Sequence, residues 1–305
     1  MVFNLGSMII LYRVLDKPTC STWVLFTLII ASIEVCRTGL LQNALMTFLN
    51  TNPKSEHNSI NTASLFLNIS LSIVFATLLL FFSAAIGNQY KSPELATLLN
   101  IYAITTLLLS GVYQFNFIQQ ANLDFRGLFW STFVRTGGLF FSILFLVFNK
   151  AHINLTTLAF VQVFAAVPAA FVAYLFARKY FALKNKIDWR WVKKLLAYGK
   201  FTFGTNMATM AFKSLDRLVI GSFPALLTQV STYDLSIKIN NLAEVPTTTL
   251  AAILFPQSAR KNHEEGNSAI KFLYEKSVGV LMSLIIPIII FILLFADVIV
   301  NLLGS

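Results

Sequence analysis

The chain has 305 residues, of which 56% are hydrophobic and 12% are charged, whereas typical soluble domains carry about 25% charged residues. The apolar residues occur in blocks of about 20 separated by short polar stretches, which excludes a soluble globular fold and indicates an all-α, polytopic transmembrane bundle. The net charge of +10 comes largely from one inter-helix loop, so membrane topology explains it and we expect no nucleic-acid partner.

The apolar blocks predict about nine spanning helices, the first of them partial. They lie at about 1–15, 22–48, 63–86, 95–119, 126–148, 155–178, 199–223, 230–256 and 272–300. Helix breakers separate the early blocks, at Asp16-Lys17-Pro18, at Asn52-Pro53-Lys54 and at Gly87-Asn88 followed by Pro93. Four prolines fall inside predicted helices, and the bend at Pro246 is the best candidate for a functional one; the other three are Pro168, Pro256 and Pro287.

The loop between the sixth and seventh helices is strongly basic. Its cations are Arg178, Lys179, Lys184, Lys186, Arg190, Lys193, Lys194 and Lys200, against the single acid Asp188. The positive-inside rule therefore places this loop, and with it the start of the chain, in the cytoplasm. An apolar stripe at helical spacing from Ile187 to Leu196 predicts an interfacial helix on the inner leaflet. We accordingly divide the chain into an N-terminal lobe at 1–180, a basic interfacial linker at 181–198 and a C-terminal lobe at 199–305.

The seventh and eighth helices carry charges at membrane depth, where each charge costs at least about 2.5–3.5 kcal/mol on insertion scales. We place eight charges at intramembrane positions: five cations, Arg37, Arg135, Lys213, Arg217 and Lys238, and three acids, Glu34, Asp216 and Glu244. Such residues usually line a polar path, so the set predicts a transport pathway. Its net positive charge suits an anionic cargo, with the cations binding substrate and the acids coupling an ion.

Two readings compete with a pathway role for these residues. Glu34 with Arg37 and Asp216 with Lys213 are neutralised pairs at helical spacing, which can simply hold helices together. Long basic side chains near helix ends can also extend to the membrane surface, which applies to Arg217 and Lys238. Arg135 has no acid nearby on its own helix and favours a cavity role.

An internal repeat relates the two parts of the chain. A shift of 210 residues aligns Ser21-Thr22-Trp23 with Ser231-Thr232-Tyr233 and Glu34-Val35 with Glu244-Val245, and eight of the twenty columns from 21 to 40 are identical. An even number of helices separates the copies, which predicts a parallel repeat about an axis along the membrane normal. The same shift leaves the first helix without its opening half and the second lobe with three helices, so we expect a chain truncated at both ends.

Motifs for other chemistry are missing from the sequence. His57, His152 and His263 fall in separate loops, and no nucleotide-binding, zinc-protease or serine-hydrolase motif occurs. We therefore expect no metal, no cofactor and no catalytic residue.

Three segments resemble a known family: Leu11–Asn50, Tyr198–Phe223 and Ile237–Arg260. They are similar to bacterial lipid-linked oligosaccharide flippases, the polysaccharide-transporter branch of the multidrug/oligosaccharidyl-lipid/polysaccharide exporter superfamily. The shared patterns are loose ones of Arg-x-Gly, Asp-Arg and Phe-Pro type.

The resemblance implies two six-helix lobes around a central cavity in the bacterial inner membrane. Alternating access would move an undecaprenyl-diphosphate-linked glycan to the outer leaflet for O-antigen, capsule or exopolysaccharide assembly, in cooperation with glycan polymerases and glycosyltransferases. It assigns the diphosphate to Arg37, Arg135, Lys213 and Lys238. Glu34 or Glu244 would couple a proton or a sodium ion.

Three alternatives stay open. A cation-coupled multidrug antiporter of the same superfamily should carry unpaired acids in its cavity. A membrane glycan polymerase or ligase should carry a sizeable outer loop with catalytic residues, whereas every outer loop here is short. The chain could also be an inactive fragment.

Overall fold

The computed structural model describes residues 2–149, 153–184, 186–238, 241 and 267–295, and these residues are helical apart from short turns. The long helices are α1 (Val2–Val14), α2 (Lys17–Thr51), α3 (Lys54–Gln89), α4 (Pro93–Ala121), α5 (Arg126–Phe148), α6 (Leu155–Ala177) and α7 (Trp189–Ser222). A 3₁₀ turn at Pro224–Leu226 follows, then helical residues at 229–238, which we call α8, and finally α9 (Asn267–Leu294). Glu244, Pro246, Pro256, His152 and His263 lie outside the described residues.

The chain forms two compact units, Met1–Ser231 and Thr232–Ser305. In the first unit α4 is central and packs against α2, α3, α5 and α6, while α7 lies along α2 and α3. The described part of the second unit consists of the rest of α8 and α9, which contains Pro287. The division into lobes that was inferred from the sequence stays a prediction.

Five described helices, α2 to α6, are long and apolar enough to cross a membrane, so the chain is a multi-pass membrane protein. Phenylalanine, leucine and isoleucine side chains cover their outer faces, as in Phe81 and Phe145, which are 78% and 67% exposed. Helix α7 carries Lys213, Asp216 and Arg217 and falls outside this set.

The predicted breakers begin and end helices for local reasons. The carboxylate of Asp16 accepts a hydrogen bond from the backbone N–H of Thr19, and Pro18 occupies the first turn of α2, where no N–H is needed. Pro53 precedes α3 and Pro93 starts α4 in the same way. Asp188 caps α7 through the N–H of Arg190. Pro168 lies inside α6, as predicted.

Helices α2, α3 and α7 extend further than their apolar blocks indicated. Helix α3 begins at Lys54 rather than near residue 63, and α7 begins at Trp189 rather than near residue 199. Hydropathy detects only the part of a helix that lies in lipid, whereas the polar opening turns of α3 are stabilised by packing outside it. Trp191 of α7 donates a hydrogen bond from Nε1 to Glu56 of α3 (2.8 Å) and packs against Phe48 of α2.

The predicted interfacial helix is therefore corrected. Its residues form the opening turns of the continuous helix α7, and Trp191, Val192 and Leu195 are buried in a protein core with α2, α3 and α4. Only Ile187 and Leu196 of the stripe are exposed. An apolar stripe on a short basic helix fits a lipid surface and a protein surface equally well, so the sequence alone could not distinguish them.

Polar and small residues join the helices of the first unit. Ser64 and Asn68 of α3 both donate to Gln114 of α4, at 3.1 and 3.4 Å, and Asn68 also donates to the carbonyl of Ser110. The buried face of α6 consists largely of alanines, which lets α4 approach closely enough for Gln119 to donate to the carbonyl of Ala173. Lipid gives no hydrophobic drive for helix association, so such contacts carry the packing.

The internal repeat has two counterparts among the described residues. Shifted back by 210, the bounds of α9 fall on 57–84, inside α3, and the start of α8 falls on 19, close to the start of α2. Ser21 and Ser231, which the shift aligns, hydrogen-bond to each other through their hydroxyls at 3.1 Å. Both serines lie in the first unit, and the parallel repeat stays a prediction.

Candidate functional site

Arg37 lies at the centre of a buried polar cluster between α2, α3 and α4. Its side chain has no exposed surface and forms an ion pair with Glu34 at 2.5 Å. One guanidinium nitrogen also donates to the hydroxyl of Ser72 and to the backbone carbonyl of Thr106. Helix α2 supplies both charges three residues apart, and the neighbouring helices supply the neutral acceptors.

Tyr113 of α4 links this cluster to α5. The guanidinium of Arg37 lies 4.9 Å from the centroid of the tyrosine ring, and that of Arg135 lies 5.9 Å from it. Arg135 also donates a hydrogen bond to the Tyr113 hydroxyl at 3.4 Å. One aromatic ring thus faces two cations, each at a distance typical of cation–π attraction.

The cluster lies at mid-membrane depth. Arg135 is nine residues from the start of α5, roughly 13 Å along a helix at 1.5 Å per residue. Thr106 lies near the middle of α4 and Ser72 near the middle of α3. The cluster is therefore within the hydrocarbon layer, where unpaired charges are most costly.

The cluster contains two arginines and one carboxylate. Glu34 accepts from Arg37 and from the hydroxyl of Tyr102 (3.2 Å), so both of its oxygens are engaged. Arg135 is half-buried, and its only hydrogen bond to a described residue is the one to Tyr113. The unbalanced positive charge is therefore at Arg135, while Arg37 is held inside the protein.

The three charges of α7 differ in their exposure. Arg217 is buried, donates to the carbonyl of Lys213 and lies 3.8 Å from the carboxylate of Asp216. The Lys213 side chain is exposed. The Arg37 cluster is formed by residues of α2 to α5, so the structure assembles the predicted site residues in more than one place.

Within the second unit, Lys238 forms an ion pair with Asp234 at 2.7 Å, one helical turn away. Glu244, the remaining predicted acid, lies outside the described residues.

Sequence reasoning missed Ser72, Tyr102, Thr106 and Tyr113. In apolar helices a tyrosine or a lone hydroxyl is compatible with lipid, with packing and with a site, and nothing local separates these roles. A usable signal was the mid-helix position of four polar residues on two adjacent helices. Among the described residues no group of three or more histidine, cysteine, aspartate or glutamate side chains could hold a metal ion.

Comparisons with known proteins agree with this architecture. A family model described as polysaccharide biosynthesis protein matches residues 22–305. A solved structure of a multidrug resistance MATE family transporter of the MOP superfamily, in an inward-facing conformation, has a TM-score of 0.78 at 14% sequence identity, covering 99% of this chain and 71% of that chain. At this identity the likeness shows the fold alone. A comparison with curated protein sequences gives no match.

The family match covers nearly the whole chain, and the described helices have the fold of a MATE family transporter. The chain therefore belongs to the polysaccharide biosynthesis protein family.

Proposed function

We propose that the protein is a flippase for undecaprenyl-diphosphate-linked oligosaccharide in the bacterial inner membrane. It moves the glycan to the outer leaflet by alternating access, for O-antigen, capsule or exopolysaccharide assembly. The observation that carries this proposal is the net positive cluster of Arg37, Glu34, Tyr113 and Arg135 at mid-membrane depth in a member of this family.

The roles of the two arginines differ. Arg37 is enclosed by Glu34 and neutral acceptors, so it orients Tyr113 and holds α2 to α3 and α4. Arg135 is half-buried, and it is the cation that meets the diphosphate. An arginine suits this task because its planar guanidinium can donate two parallel hydrogen bonds to phosphate oxygens. Lys213 on the exposed side of α7 is the second cation of the path.

The physical need for such a cation is plain. A glycan head with a diphosphate cannot enter hydrocarbon, because each unpaired polar group costs several kcal/mol there. The lipid tail stays in the bilayer while the head passes along a polar path, and the cations replace part of the water that the phosphates lose. An inside-negative potential favours outward movement by roughly 2.3 kcal/mol per charge per 100 mV.

The proposed orientation places the N-terminus and the basic segment 178–200 in the cytoplasm. Contacts between Lys179 and Asp124 and between Trp191 and Glu56 support it, because they put the α2–α3 turn, the α4–α5 turn and the basic segment at one end of the helices. Glu34 is the proposed coupling acid of this unit, since its carboxylate accepts hydrogen bonds from both Arg37 and Tyr102.

Glycan export by cells that depend on this gene tests the proposal. Arg135→Ala and Lys213→Ala should each reduce export about tenfold or more. The reason is that a charge-assisted phosphate contact contributes about 1.5–3 kcal/mol. Arg135→Lys retains the charge and should be milder. The membrane abundance of each variant must equal that of the wild type.

Lys54→Ala is the matched control, because it removes an exposed cation at the polar start of α3, outside the membrane layer. It should leave export unchanged. Export at the wild-type level with both Arg135→Ala and Lys213→Ala would refute the cationic path. Resistance to cationic drugs that depends on Glu34, with glycan export intact in Glu34→Gln, would favour the multidrug antiporter instead.

A further inference from the structure

The ends of α4, α5 and α6 meet at Asp124, apart from the Arg37 cluster. The carboxylate of Asp124 forms ion pairs with Arg126 at 3.0 Å and with Lys179 at 2.7 Å. It also accepts a hydrogen bond from the hydroxyl of Tyr180 at 3.3 Å. Its side chain is 6% exposed, whereas those of Arg126 and Lys179 are 72% and 48% exposed. We call this group the Asp124 junction.

Helix lengths place the junction at the membrane surface. Helices α5 and α6 each contain 23 residues. At 1.5 Å per residue each is roughly 34 Å long, close to the thickness of about 30 Å of a hydrocarbon core. Arg126 starts α5, and Lys179 lies two residues after the end of α6. Both cations therefore lie at the level of the lipid headgroups.

Exposed apolar side chains lie beside Arg126. Leu123 is 80% exposed and has a positive φ of 54°, which is unusual for leucine. Phe129 and Trp130 in the first turns of α5 are 59% and 48% exposed. Together with the α4–α5 turn and Tyr180 they line an open cleft of about 580 Å³. Aromatic rings at this level are typical of the membrane interface.

The electrostatics of the junction favour an anion. Arg126 and Lys179 lower the pKa of Asp124 well below its usual range, so the carboxylate stays charged at neutral pH. Asp124 supplies one negative charge, against Arg126, Lys179 and the adjacent exposed Arg178. The positive excess is carried by exposed side chains, whereas the carboxylate faces inward.

We propose that the Asp124 junction binds the headgroup of an anionic glycerophospholipid in the leaflet at this end of the helices. Arg126 and Lys179 meet the phosphodiester, and Leu123, Phe129 and Trp130 lie against the glycerol and upper acyl chains. Arg126 lines the open cleft beside exposed apolar side chains, and Lys179 is joined to it through Asp124. This arrangement suits a phosphate attached to acyl chains better than a free anion. This site does not depend on the proposed cargo.

Lipid titrations of the purified full chain, followed by native mass spectrometry, test the site. Phosphatidylglycerol should bind more tightly than phosphatidylcholine of the same acyl chains. Arg126→Gln and Lys179→Gln should each weaken phosphatidylglycerol binding by about fivefold, since one cation near an anionic lipid surface contributes about 1 kcal/mol. Phosphatidylcholine binding should not change.

Arg190→Gln is a closely matched control. Arg190 pairs with Asp188 through the same spacing and at a similar distance (2.8 Å), and it is 78% exposed, but it starts the long helix α7, whose opening turns pack outside the lipid layer. It should leave lipid binding unchanged. An equal loss in Arg190→Gln, or an unchanged affinity in the Arg126→Gln/Lys179→Gln double variant, would overturn the site.

Fluorescence gives a second measurement that needs no charge substitution. Brominated phosphatidylglycerol should quench the wild type more than brominated phosphatidylcholine does, and Trp130→Phe should remove the difference. Equal quenching by the two lipids, or displacement of phosphatidylglycerol by millimolar inorganic phosphate, would overturn the lipid assignment.

Discussion

The Arg37 side chain illustrates what a buried charge requires inside a membrane. Its hydrogen-bond acceptors include the Glu34 carboxylate, the Ser72 hydroxyl and the Thr106 carbonyl, which belong to α2, α3 and α4. The pair therefore depends on three helices staying in register. A buried pair of this kind contributes specificity of packing more than net stability, because desolvation offsets much of the attraction.

We expect the Arg37 and Glu34 side chains to be energetically coupled. Arg37→Met should destabilise the protein by about 3–5 kcal/mol, because it leaves the Glu34 carboxylate largely buried without its cation. Arg37→Met/Glu34→Gln should recover part of this loss, since no charge remains. Thermal unfolding in detergent measures both variants, and a loss in the double variant equal to the sum of the two single losses would contradict the coupling.

Helices α2 and α7 pack through glycines. A Cβ atom on Gly199 of α7 would overlap the carbonyl oxygen of Leu40, and one on Gly39 of α2 would overlap the side chain of Asn206. Thr202 uses this close approach to donate to the carbonyl of Gly39 at 2.8 Å. Close backbone contact at small residues is how membrane helices gain packing energy.

Two glycines on α7 give a matched test of that packing. Gly199→Ala should destabilise the protein by about 1–3 kcal/mol, because a backbone carbonyl cannot move aside as a flexible side chain can. A Cβ atom on Gly204 would meet no other atom within 4 Å. Gly204→Ala should therefore stabilise the protein by up to about 1 kcal/mol, because alanine has the higher helix propensity. Thermal unfolding compares them, and equal effects of the two changes would show that α2 and α7 are not tightly packed at Gly199.

The first unit as a whole has two packed regions stacked along its helices. One large core contains Trp23, Leu99 and Leu158, and a smaller one contains Leu45, Ile60 and Trp191. The smaller core joins the extended ends of α2 and α3 to the opening turns of α7. The basic residues of segment 178–200 lie at this end, so the smaller core marks the proposed cytoplasmic side.

Cysteine labelling in intact cells tests the topology. Thr228 is exposed in the segment between α7 and α8, so Thr228→Cys should react with an impermeant thiol reagent added from outside. Leu183, 48% exposed in the basic segment, is its counterpart, and Leu183→Cys should react only after the membrane is opened. The reverse pattern would invert the whole arrangement. Native Cys20 is buried, and Cys36 is replaced by alanine to lower background.

The sequence by itself determined the membrane class, the approximate centres of the described helices, and the family. These are local properties, because about 20 consecutive apolar residues must form a helix in lipid whatever their neighbours are. It also identified Glu34 with Arg37, because residues three apart share a helix face. The helix breaks at Asp16-Lys17-Pro18, at Asn52-Pro53-Lys54 and before Pro93 followed from local chemistry as well.

Only the tertiary structure decided which polar residues meet. Tyr113 lies between Arg37 and Arg135 because α4 packs between α2 and α5, and no spacing within one helix encodes that neighbour. Packing also decided that Trp191, Val192 and Leu195 face protein rather than lipid, since both surfaces are apolar. The composition of a membrane helix shows that it lies in lipid. Which helices it packs against depends on shape and on a few polar contacts between distant parts of the chain.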